Sequence, residues 1–154
     1  MTDSIIPEWV KQKRASLDAA EANATLARQT ALLEEKIIEA DGPGFWKQLL
    51  KELYITLASL SEIHLRGSLN NLGGKHPAES IQVYVSKEAH QAYTNLFYDG
   101  PGSRAIRCVR DAGDPFVLRL CVLNDKLLLI GDGQRFDAEA AANYIVQDAV
   151  SQIG

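Results

Sequence analysis

The chain has 154 residues, 46% hydrophobic and 23% charged, with a formal net charge of -4. That is enough sequence for one globular core. The acidic balance excludes a nucleic-acid binder that works through a basic surface, because phosphate neutralisation needs clustered Lys and Arg. No apolar run reaches the roughly 18 residues that span a bilayer, and the opening MTDSIIPEWVKQKR has no signal-peptide pattern. Two cysteines, Cys108 and Cys121, make no disulfide framework. The expectation is a protein of the reducing cytoplasm, off the membrane.

From about Pro7 to Ala40 the composition is that of one long helix, rich in Ala, Leu, Glu, Gln and Lys. Pro7 suits its first turn. Val10, Leu17, Ala24, Ala31 and Ile38 recur every seven residues, with Leu26 and Leu33 in a flanking row. This is a narrow seam with small members that allow another helix to approach closely. Such a helix would run to about 50 Å, against a radius of gyration of roughly 15 Å for a compact body of this size. Residues 1–41 are therefore expected to form a helical arm for dimerisation or docking.

Asp41-Gly42-Pro43-Gly44 reads as a stop. A second, broader amphipathic helix is expected over 44–66, with Phe45, Leu49, Leu53, Leu57 and Leu60 on one stripe and Gly67 beyond its end. Leu69 to Pro77 reads as a loop. Strands are expected at 81–86, 92–98, 104–111, 115–123 and 126–131, an antiparallel meander of about five, with a brief edge strand at 134–136 and a closing helix at 137–152. Asp137 is its N-cap, and Ala138, Ala141, Ala142, Ile145, Val146, Ala149, Val150 and Ile153 are its apolar stripe. Residues 42–154 form an α+β domain in this reading, with the second and closing helices on one sheet face.

Hairpin arithmetic gives a register. An Asn124-Asp125 turn pairs Leu123 with Lys126 and Cys121 with Leu128. A turn at Ala112-Gly113-Asp114 pairs Leu118 with Cys108 and sets Arg107 opposite Arg119. The DGPG at Asp99 pairs Ile106 with Leu96. One face becomes Leu96, Ile106, Cys108, Phe116, Leu118, Leu120, Val122, Leu127 and Leu129, the expected core. The other carries Tyr93, Phe97, Arg107, Val117, Arg119, Cys121 and Leu128, too apolar for a solvated face.

No catalytic or cofactor signature stands out. His64, His76 and His90 have no partner at metal-ligand spacing. The Gly-rich segments lack both GxGxxG and GxxxxGK[ST] and read as turns. The expectation is a non-enzymatic protein-protein interaction module without a cofactor: a homodimeric adaptor, chaperone or regulator using the N-terminal helix and the second sheet face. The alternative is a small-ligand binder with an apolar pocket between that face and the helix, lined by Tyr93, Phe97, Arg107 and Arg119.

Overall fold

A computed structural model of the chain describes residues 6–73 and 79–153. His76 and positions 74–77 of the expected loop lie outside the described residues. The order is a long helix, a short 3-10 helix, seven strands and a closing helix, an α+β architecture. The chain divides into two compact units, Met1–Glu35 and Lys36–Gly154.

Helix α1 runs unbroken from Glu8 to Ala58 with Pro43 inside it. The Asp41–Gly44 stop and a separate helix over 44–66 are thus corrected. Two helical glycines and a proline cost about 5 kcal/mol together. The local signal is outweighed by what the helix buries on both sides of them. Ile38, Trp46, Leu49, Leu53 and Leu57 are each at most 3% exposed, and each contributes roughly 1.5–3 kcal/mol. Trp46 adds two fixed contacts. Its ring stacks on Tyr98 with centroids 5.2 Å apart, and its indole N–H donates to Glu79 Oε2 at 2.9 Å.

After Ala58 the chain tightens into the 3-10 helix Ser59–Ile63. His64 then turns left-handed at φ 61°, and strand β1 follows at Arg66–Gly73. The expected loop from Leu69 is a strand as far as Gly73. Gly67 is no helix stop: it lies on the inner face of β1, where a Cβ would meet Leu57 Cδ2 at 2.7 Å.

The remaining strands are β2 Glu79–Lys87, β3 His90–Tyr98, β4 Ala105–Arg110, β5 Phe116–Leu123, β6 Lys126–Gly131 and β7 Gln134–Phe136. Each pairs antiparallel with the next, giving one seven-stranded meander in chain order rather than five strands. Helix α2, Ala138–Ser151, begins at an Asp137 cap whose carboxylate accepts from Ala140 N at 2.7 Å.

The expected face assignment holds while two registers move. Leu123 pairs with Lys126 and Cys121 with Leu128, as read from the sequence. Cys108, however, pairs with Phe116, and Leu118 with Ile106. On the other side Leu96 pairs with Cys108 and Tyr98 with Ile106. Both hairpins are offset by two residues, which keeps every side chain on its expected face because the side-chain period is two. The inner residues Leu96, Ile106, Cys108, Leu118 and Leu129 are fully buried. They share one core with the second half of α1 and with Ala141, Ala142, Ile145, Val146 and Ala149 of α2.

Candidate interaction surface

The outer sheet face divides by chemistry along its strands. Over β1–β3 it is polar. Asn70 Nδ2 donates to Gln82 Oε1 at 3.2 Å, and Tyr84 OH donates to Gln91 Oε1 at 2.6 Å. Tyr93 lies here, directly across from Tyr84. Over β3–β6 the face turns apolar and cationic. Phe97, Arg107 and Val117 form one row across three strands. Cys121 and Leu128 form a second pair, and Arg119 sits between Ala105 and Ile130. Val109 and Val117 are 40% and 46% exposed, so two β-branched residues stand in water on an ordered surface.

Arg107 and Arg119 are therefore not opposite each other. The two-residue offset places Val117 across from Arg107 and Ala105 across from Arg119, removing the like-charge contact expected from the sequence. The Arg107 guanidinium lies 5.0 Å over the Phe97 ring and forms a 3.5 Å ion pair with Asp99. Both partners are largely exposed, so this pair orients the arginine more than it stabilises the fold. Tyr93 and Arg119 are not brought together. They lie two strands apart and roughly 20 Å apart along the strand direction. Sequence reasoning missed Arg135, which stands across from Ile130 on the same face. Counting β7 as a full member of the sheet is the signal that finds it.

The helical segment 8–35 is a surface of another kind. Trp9, Leu17, Leu26, Leu32 and Leu33 are 57% to 70% exposed. Of the seam named from the sequence, Leu17, Ala24 and Ala31 are exposed and Val10 is half-buried. Ile38 differs: it belongs to the core of the second unit. Trp9, absent from the seam as read, joins Val10, Lys13, Arg14, Leu17 and Asp18 around a shallow groove of about 310 Å³.

Other concave features are polar or shallow. His64, Arg66, Ser86, Lys87 and Glu88 surround a cavity of about 420 Å³ beside the β2–β3 turn. Thr56, Leu60, Ile63, Asn143, Val146, Gln147 and Val150 line an apolar groove of about 310 Å³ between the end of α1, the 3-10 helix and α2. Burial, with a smaller effect from Asp148, pushes the Cys108 thiol up to about 12, which leaves it protonated and unreactive at neutral pH. Among the described residues no group of three or more His, Cys, Asp or Glu side chains is placed to hold a metal ion, and no helix is long and apolar enough to cross a membrane. The chain matches no protein-family model, no curated protein and no solved structure.

Proposed function

We propose that this chain is a non-enzymatic protein-interaction module of the reducing cytoplasm that acts as a homodimer, in the class of adaptors, chaperones or regulators. The observation that carries this reading is the set of large apolar side chains held in water around helix residues 8–35: Trp9, Leu17, Leu26, Leu32 and Leu33. Covering each fully gains roughly 1.5–3 kcal/mol, and a surface of this kind ordinarily marks an interface. The outer sheet face supplies a second docking surface. Its Phe97, Val109 and Val117 give apolar area, and Arg107, Arg119 and Arg135 favour a partner with an acidic rim.

The test is sedimentation of the full chain over a wide concentration range. The expected result is a mass that doubles as concentration rises, and a Leu17→Glu variant that stays monomeric with an unchanged circular dichroism spectrum. A wild-type chain that remains monomeric at every concentration overturns the proposal.

A further inference from the structure

We infer that helix residues 10–35 pair with the same segment of a second copy in the antiparallel sense, and that four charges set both direction and register. This rests on the homodimer reading above. Take Val10, Leu17, Ala24 and Ala31 as one seam position of the seven-residue repeat. Lys13, Ala20, Ala27 and Glu34 then occupy the other. The alanines allow the two helix axes to come close but offer no large knobs, so the seam itself discriminates poorly between directions. The flanks do discriminate. One flank reads Arg14, Glu21, Arg28 and Glu35, alternating in sign every seven residues; the other reads Trp9, Ser16, Asn23 and Thr30, with no charge. All eight side chains are exposed.

In a parallel pair each charged flank would lie along the uncharged flank of its partner, and no ion pair would form. In an antiparallel pair each flank meets itself. One register sets Arg14 against Glu35 of the second copy and Glu21 against Arg28 of the second copy, giving four opposite-sign pairs by symmetry. Sliding by one repeat reverses every sign. In one direction Arg14 meets Arg28 and Glu21 meets its own counterpart; in the other Glu21 meets Glu35 and Arg28 meets its own counterpart. Exposed pairs are individually weak. Their role here is to select one arrangement among several; of the exposed large apolar residues only Leu17 lies in the seam, where Val10 shares its position in the repeat.

Charge exchange tests this on the full chain by sedimentation at low salt, where screening is least. Glu21→Arg and Arg28→Glu are each expected to weaken the dimer roughly five- to thirtyfold, although they change net charge in opposite directions. The double variant E21R/R28E is expected to recover wild-type affinity to within about threefold. A wild-type dimer that is insensitive to both single changes, or a double variant as weak as the singles, overturns the antiparallel register and leaves the homodimer reading standing. A wild-type chain that never dimerises overturns both.

Discussion

Gly42 and Tyr98 meet so closely that a Cβ on the glycine would stand 2.9 Å from the tyrosine hydroxyl oxygen. The carbonyl of Pro101 is the next neighbour at 3.6 Å. The chain's two DGPG segments therefore lie against each other, the first inside a helix and the second in the β3–β4 turn. The first keeps its glycine for close approach, and its turn chemistry goes unused.

This contact predicts an unusual sign for a helical Gly→Ala change. Alanine gains about 1 kcal/mol of helix propensity, whereas overpacking costs roughly 1–3 kcal/mol. Tyr98 cannot step aside, because it is 2% exposed and stacked on Trp46. Gly42→Ala is expected to lower stability by about 1 kcal/mol in urea unfolding. The Tyr98 hydroxyl is buried with no hydrogen-bond partner among the described residues, so Tyr98→Phe is expected to cost little. In that background the alanine should become stabilising. An alanine that stabilises the wild-type chain would show that the contact relaxes freely.

Neighbouring residues on β5 separate the two sheet faces. Leu118 is fully buried and Val117 is 46% exposed. Leu118→Ala is expected to cost about 2–5 kcal/mol through the cavity it leaves, and Val117→Ala less than about 1 kcal/mol. Equal costs measured on the dilute monomer would mean that the outer face is covered within one chain.

The contrast between face and partner explains how much was legible in the sequence. Alternation along β3–β6 places Leu96, Ile106, Cys108 and Leu118 inward whatever the turn, because an offset of two residues conserves the face. The turn sets the partner, and turn chemistry is less specific. The loop around Gly113 is shaped by Arg110, whose Nε donates to the Asp114 carbonyl at 2.8 Å, a contact that no residue pattern announces. β1 escaped notice because Gly67, Ser68, Asn70 and Asn71 are poor strand formers; it exists through its pairing with β2. The unbroken α1 was hidden for the same reason, since Gly42 and Pro43 speak locally while Ile38, Trp46 and Tyr98 decide globally. Asp137, a cap by local chemistry alone, needed no such context.

Cys108 predicts a decline of stability in alkali. Burial first, and Asp148 second, raise its thiol from an ordinary value of 9.0 to about 12. Below 9 the thiol is protonated in both the folded and unfolded chains, so its contribution is fully present. Between 9 and about 12 the unfolded chain releases the proton first, and each pH unit lowers stability by up to about 1.4 kcal/mol. Burial raises Tyr98 and Tyr144 as well, which acts in the same direction at higher pH. Urea midpoints measured at about pH 8 and about pH 10 should fall for the wild type and fall less for Cys108→Ala. An identical slope in both would remove Cys108 as the cause. In the native chain iodoacetamide should label the half-buried Cys121 well before Cys108.

Arg110 and Asp148 join the turn after β4 to helix α2. Arg110 Nη1 lies 3.2 Å from Asp148 Oδ1, with side-chain exposures of 26% and 19%. The same guanidinium stands 5.4 Å over the Phe116 ring, and Gln152 Nε2 donates to Asp148 Oδ2 at 3.3 Å. A half-buried charge-assisted pair of this kind is worth more than a surface one. Asp148→Asn keeps the shape, removes the charge, and is expected to cost about 1–2 kcal/mol. Arg110→Met, which keeps the apolar stem, should cost a similar amount, and the double variant should cost about 1 kcal/mol less than the two added together. Strict additivity would mean that Arg110 acts through Phe116 and the Asp114 carbonyl alone. Because Asp148 also helps to raise the Cys108 thiol, Asp148→Asn should end the alkaline decline at a lower pH, an effect that a loss of packing would not produce.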